Sequence, residues 1–390
     1  MSGIKRLTKA DYREILALNQ YAFQYTRTEE ENEQYGDKIK SHTIFGWMEG
    51  DELAAKVHII PFQVYLGDSV LDMGGIAAVA SWPEQRRGGK VKQLLQKALY
   101  TMREEGKTLS YLHPFSVPFY RKYGWELAFD QLECTIPIQH FLKDWNGKGK
   151  MIRRKKSKQT VSLLQQIYKD YAQHFTGMLD RTSDWWDHKL DERDQIILAQ
   201  QQGSSEGYLV YQVADHTFTI KDAAFSTLNG RKQILQFIRN HDSMVETVKW
   251  TLPADDPLSL LVEEPSFEQK LAPYFMARIV DVKGFLEQYP YSSTVSSNQS
   301  FIIEVADDFL VENTGSYQIT HKQSQLVIHP EKDPSLPRVK MNIQQLTQIF
   351  LGYKRPQELA AVLLVEGDPA AVELLEEMIP HRQTYLPDFF

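Results

Sequence analysis

The sequence predicts a mixed α/β (α+β) chain folded as three consecutive regions, and three observations lead there. First, an apolar strand-like run at 76–80 ends at Trp82-Pro83, passes through the basic turn Gln85-Arg86-Arg87-Gly88-Gly89-Lys90, and enters a helix pattern. Val91, Leu94, Leu95, Ala98, Leu99 and Met102 recur there at three- and four-residue intervals, which is one face of a helix. Second, the elements around that turn follow the order strand, helix, three antiparallel strands, helix, strand, helix, strand. Third, a helix–strand–strand–helix–strand order returns between about 160 and 252 without any glycine-rich basic turn, and a strand meander with closing helices follows 276.

Taken in order, residues 3–7 read as a strand and Thr8 as the cap of a helix over 10–23. The acidic run 29–33 reads as loop or helix start. Residues 43–48 and 53–65 form a hairpin through Glu49-Gly50-Asp51, and Gly67-Asp68 turns the chain into a strand over 70–80. The helix at 88–105 is followed by a strand at 108–113, a short helix at 116–123 and a strand or strand pair at 125–138. Residues 142–158, including Arg153-Arg154-Lys155-Lys156, read as a linker with solvated charges. Helices are expected at 162–176 and 182–190, strands at 196–199, 207–213 and 217–224, a helix over 231–242 after Asn229-Gly230, and a strand at 245–252. A third region opens with a strand at 276–281 and a helix at 282–288. Strands at 301–305, 308–312, 315–320, 325–328 and 339–343 follow, then helices at 343–350, 355–364 and 372–378. The domain limits expected from this pass are 1–140, 141–275 and 276–390.

Composition narrows the function classes. A chain of 390 residues suits roughly two to three domains and buries an ample core without staples. Cys134 is the single cysteine, so no intramolecular disulfide can form, which fits a reducing, cytoplasmic compartment. The polar start Met1-Ser-Gly-Ile-Lys-Arg lacks a signal-peptide core, and no apolar run approaches the ~18 residues of a membrane span. A net charge of −7 argues against nucleic acid and for cationic partners. The histidines lack metal-ligand spacing, and Cys134 sits in a strand pattern as a core residue.

A strand, a glycine turn and a helix start together make a nest for phosphate. Glycines let successive backbone N–H groups converge, and the helix N-terminus adds positive potential. The turn lacks the Gly-Lys-Ser/Thr ending of a P-loop and lacks Gly-x-Gly-x-x-Gly. It fits Gln/Arg-x-x-Gly-x-Gly/Ala in part: Gln85 leads, Gly88 stands fourth, and Lys90 replaces the final small residue. That pattern resembles the acyl-CoA pyrophosphate loop of GNAT N-acetyltransferases; the alternative is an exposed turn with a capping glycine.

Further segments stand in matching order. Phe119-Tyr120-Arg121-Lys122-Tyr123-Gly124-Trp125 resembles the Tyr-x-x-x-Gly-aromatic element of GNAT enzymes. Arg181 to Trp186, Arg278 to Asp281, Asn342 to Tyr353 and the terminal Asp388-Phe389-Phe390 complete the set. Together they resemble the Eis (enhanced intracellular survival) acetyltransferases over essentially the whole chain. The resemblance implies two tandem GNAT-like domains followed by a sterol-carrier-protein-like domain. It implies an active first domain and a second that has lost its cofactor loop. The implied activity is N-acetylation of primary amines by acetyl-CoA as cosubstrate, without a metal. Acceptors would be polycationic, aminoglycoside-type amines or lysine-containing peptides, with no nucleic acid or membrane partner. Hexameric assembly is implied as well.

Acetyl transfer needs a held thioester, a deprotonated amine, a stabilised oxyanion and a proton for the leaving thiolate. The strand Ala78-Val79-Ala80 would offer backbone groups to the pantetheine arm and thioester. Arg86, Arg87, Gly88, Gly89, Lys90 and Val91 would cradle the pyrophosphate through amides and point charges. Phe115 and Ser116 would flank the cofactor arm. Tyr120 is the candidate general acid, since a phenol with pKa near 10 stays protonated at neutral pH; Tyr123 is the competitor. No histidine can be tied to the site from sequence. The resemblance points instead to the C-terminal carboxylate of Phe390 as the base. The apolar Tyr385, Leu386, Phe389 and Phe390 favour a docked tail over a frayed one. Trp185-Trp186 reads as inter-domain packing. Two further readings stand beside this one: an apolar-ligand carrier through the third region, and a tRNA-dependent aminoacyl transferase.

Overall fold

The computed structural model describes residues 2–292, 299–322 and 325–390. Its first region runs β1 (Gly3–Arg6), α1 (Tyr12–Phe23), α2 (Glu29–Lys38), β2 (Thr43–Glu49), β3 (Glu52–Leu66), β4 (Ser69–Ser81), α3 (Lys90–Glu104), β5 (Leu109–Leu112), α4 (Val117–Arg121), β6 (Glu126–Leu127) and β7 (Asp130–Pro137). The acidic run at 29–33 is part of a helix. Thr28 and Glu31 form a capping box at its start, and three glutamates suit the positive end of the dipole. Thr8 caps the first helical turn in the same way.

The second region runs β8 (Lys150–Arg154), α5 (Lys158–Ala172), β9 (Thr176–Leu179), α6 (Ser183–Lys189), β10 (Gln195–Gln201), β11 (Ser204–Ala214), β12 (Thr217–Phe225), α7 (Leu228–Arg239), β13 (Thr247–Leu252), β14 (Glu268–Pro273) and β15 (Met276–Ile279). The expected linker therefore contains a strand. β8 pairs antiparallel with β10 at the sheet edge, where Arg153 and Arg154 can keep their charges in water. The expected helix at 162–176 ends at Ala172, and Thr176–Leu179 pairs with β3 instead.

The third region runs α8 (Val282–Gln288), β16 (Ser300–Ala306), β17 (Gly315–Lys322), β18 (Gln325–Pro330), β19 (Arg338–Asn342), α9 (Ile343–Leu351), α10 (Pro356–Ala361), β20 (Glu366–Gly367) and α11 (Pro369–Met378). The strand expected at 308–312 is absent; Val311–Asn313 is a 3-10 turn. Asp307 dictates this, because its carboxylate accepts the backbone N–H groups of Phe309 and Leu310.

Three sheets result. The first has the order β1-β2-β3-β4-β5-β15-β6, with β9 beside β3; the second has the order β14-β7-β13-β12-β11-β10-β8; the third has the order β18-β17-β16-β19-β20. The first two exchange strands. β7 leaves the first region to pair with β13 and β14, and β15 returns to sit between β5 and β6. The strand expected to open the third region thus belongs to the first sheet. One apolar core runs from Val64, Leu109 and Ile279 of that sheet into Ile303, Val339, Leu346 and Leu375 of the third region. The meander face that could have enclosed an apolar ligand is packed into this core. Among the described residues no helix is long and apolar enough to cross a membrane.

Candidate active site

The parallel pair β4–β5 zips only from Met73–Leu109 to Ile76–Leu112. β4 then continues to Ser81 without β5, so its backbone groups are left open on that edge. Ala77, Ala78 and Val79 are half-buried, in contrast to the buried residues before them. On the other edge, the pairing with β3 slips by one residue between Ala77 and Ala80, and Ala78 takes φ +48°. This bulge bends β4 at the opening. The three residues Ala78, Val79 and Ala80 therefore lie where an extended substrate arm could bond to backbone.

The loop after β4 turns through left-handed conformations at Arg87 (φ 65°) and Gly89 (φ 76°). Gly89 is the N-cap of α3, and its first turn has no side-chain capping bond. The leading amides of a fifteen-residue helix thus have no side-chain cap, an arrangement that can take an anion. Arg86, Arg87 and Gly88 are exposed, and Val91 is half-buried. Lys90 is engaged elsewhere: its Nζ lies 3.1 Å from Glu49 Oε1. Hydrogen bonds from Ser2, Lys90 and Trp47 hold the Glu49 carboxyl down to about 2. The matching helix of the second region differs. Thr227 caps α7, accepting the Gly230 N–H at 2.9 Å, so that nest is filled by the chain itself.

β5 leads into His113, Phe115 and Ser116. Phe115 is 72% exposed and packs its ring against Phe119 and Tyr120 at 5.1 and 5.4 Å. The Ser116 carbonyl accepts the N–H groups of Phe119 and Tyr120, which starts α4. Tyr120 is buried against Trp125 and Phe119, and burial pushes its phenol well above the usual range. The proton therefore stays on oxygen at neutral pH. Tyr123 is half-buried on Phe309, with its carbonyl held by Arg278 of β15.

The C-terminal tail is fixed along its length. Gln383 and Tyr385 bond to the backbone of Thr176, and the Leu386 carbonyl accepts from Gln131. Asp388 is fully buried and receives Arg181 Nε, Trp185 Nε1 and Lys189 Nζ, each at 3.0 Å. Arg181 also binds Asp222. Burial alone would raise the Asp388 carboxyl, but Arg181 and Lys189 outweigh it and hold the group well below its usual range. Tyr274 donates to the Asp388 carbonyl at 3.0 Å. Phe389 packs on His113 at 5.0 Å, and Phe390 on Phe62 and Phe275 at 4.7 and 4.9 Å. Phe390 also covers Gly75 of β4, where an added Cβ would meet its ring at 2.7 Å. The chain terminus thus rests on β4 three residues before the bulge.

Comparisons with known proteins bear out the fold class. Residues 3–128 match an acetyltransferase (GNAT) domain, residues 177–279 match a second acetyltransferase (GNAT) domain, and residues 282–387 match a sterol carrier protein domain. The chain is a GNAT acetyltransferase. Among solved structures, a probable N-acyltransferase from Enterococcus faecalis V583 is 28% identical, with both chains covered fully and a TM-score of 0.92. A GCN5-related N-acetyltransferase from Anabaena variabilis is 20% identical, again over both full chains, with a TM-score of 0.89. Eis1 from Mycobacterium abscessus is 18% identical over both full chains, with a TM-score of 0.81. No curated protein matches the sequence.

Some residues around this candidate site were not singled out from the sequence. His113 touches Tyr274, Phe275 and Phe389, and burial lowers its imidazole pKa. Lys56 and His58 lie inside the fold beneath the bulge. Their signal was present: two polar residues two apart, on one face of an otherwise apolar strand.

Proposed function

We propose that this acetyltransferase moves the acetyl group of acetyl-CoA to a primary amine at the opening between β4 and β5. Acetyl-CoA supplies an acetyl group activated as a thioester. The uncapped amides of α3, with Arg86, Arg87, Gly88 and Gly89, hold its pyrophosphate. The open edge at Ala78, Val79 and Ala80 holds the arm, with Phe115 and Ser116 beside it. The amine nitrogen bonds to the acetyl carbon as the carbon–sulfur bond breaks. Tyr120 gives its proton to the departing sulfur. The Phe390 carboxylate takes the proton released by the amine. The observation that carries this reading is the docked tail, held by Asp388, with the Phe390 ring laid on Gly75 of β4.

The finer assignment is to an Eis-type enzyme: cytoplasmic, hexameric, and acting on a polycationic acceptor of aminoglycoside type or a lysine-containing peptide. The net charge of −7 and the likeness to Eis1 support it. Gly88→Asp tests the cofactor loop. Calorimetry should find acetyl-CoA binding abolished in a folded variant, because a carboxylate would crowd and repel the pyrophosphate. Unchanged affinity would remove the loop from the account.

A further inference from the structure

Lys56 lies beneath the bulge of β4. Its side chain is fully buried in β3, and Nζ donates to the Ala78 carbonyl at 2.8 Å. Nζ also lies 3.3 Å from His58 Nε2, and His58 Nδ1 lies 3.3 Å from His42 Nδ1. The groups acting on this chain are all bases: His58 on the same strand, His42 before β2, and Lys38 at the end of α2. Among the described residues Lys56 has no carboxylate partner in an ion pair. A buried ammonium without a carboxylate is costly, and the desolvation lowers its pKa to about 7. Packing alone would be served better by methionine.

The carbonyl it holds belongs to the residue in the left-handed conformation at the bulge, Ala78 at φ +48°. That conformation is unfavourable for a non-glycine residue and persists where its surroundings fix it. The peptide that follows is planar and trans, so its C=O and N–H point in opposite directions. Fixing the Ala78 oxygen on Lys56 therefore turns the Val79 N–H away from Lys56. We propose that Lys56 is a positioning residue of the transfer site: it clamps the Ala78 carbonyl and thereby aims the Val79 N–H at the thioester oxygen. His58 completes the clamp by holding the lysine head, and His42 holds His58 in turn. The proposal rests on assigning the β4 opening to the acetyl-CoA arm.

Lys56→Met keeps the length and removes the donor. It should lower kcat by about 10²-fold, the usual order for loss of an oxyanion donor, while acetyl-CoA affinity stays within about threefold. Lys56→Arg, which keeps a donor, should recover part of the rate. Because a charged donor is the stronger one, the wild-type to Lys56→Met ratio of kcat should shrink as pH rises through about 7. A folded Lys56→Met enzyme with wild-type kcat would overturn the proposal. If that variant does not fold, lysine-ε-carbon NMR of the wild-type protein decides. One lysine should titrate near pH 7 and shift on adding acetyl-CoA; no such response would overturn the clamp. Absence of acetyl-CoA binding to wild-type protein by calorimetry would instead remove the cofactor-site reading on which the clamp depends.

Discussion

Asp388→Asn isolates the tail from the rest of the fold. The side chain keeps its size and loses its charge. Arg181, Lys189, Asp222 and Asp388 sum to zero charge, and Arg181 is fully buried. The substitution leaves one positive charge uncompensated in that setting. Removing one member of a buried pair costs about 3–5 kcal/mol. Much of this falls on tail docking, since the Asp388 carboxylate ties the tail to Trp185 and Lys189 of α6. A loss of about 3 kcal/mol shifts the docked-to-free ratio by roughly 10²-fold. Turnover should fall toward that limit, acetyl-CoA affinity should hold, and the C terminus should become sensitive to carboxypeptidase. Steady-state kinetics and calorimetry on one preparation read all of this. An Asp388→Asn enzyme with wild-type turnover and a protected tail would refute the reasoning.

Tyr120→Phe removes one hydroxyl and should lower kcat by ~10²–10⁴ with acetyl-CoA binding retained, measured by turnover and calorimetry. Gly75→Val places atoms where the Phe390 ring lies and should reduce kcat far more than it reduces the melting temperature. Burial, then Lys38 and Lys56, lower the His42 pKa to about 4, and burial depresses His58 further. For these two histidines the unfolded chain binds more protons below pH ~6.5, so their contribution to stability is full above that value and falls as pH drops toward 4. Melting curves should record this decline, and His42→Gln should flatten it. With a polycationic acceptor, kcat/KM should fall as salt screens the negative protein; insensitivity to salt would count against such an acceptor.

Much of the architecture was readable because periodicity reports which face of an element is buried. The α3 stripe and the hairpin of β2 and β3 gave themselves away by apolar spacing. Pairing partners carry no such mark. Nothing in Met276–Ile279 says that it slots between β5 and β6, nor in Asp130–Pro137 that it joins the second sheet. The basic run at 153–156 read as linker because an edge strand tolerates charge, which blurs the signal. The turn from β4 into α3 was legible through its glycines. The Arg181–Asp222–Asp388 network was not, since its members stand up to 207 residues apart in the chain.

The account turns on a terminal carboxylate serving as base. Deleting Phe390 draws the carboxylate back by about 3.5 Å, beyond hydrogen-bond tolerance, and a C-terminal tag replaces it with an amide. The decisive measurement is single-turnover acetyl transfer, at saturating acetyl-CoA, by enzyme tagged at the C terminus against enzyme tagged at the N terminus. The account predicts a loss of ~10²-fold or more for the C-terminal tag, with acetyl-CoA affinity equal in both. Equal single-turnover rates would contradict it and return the proton-accepting role to a side chain such as His113.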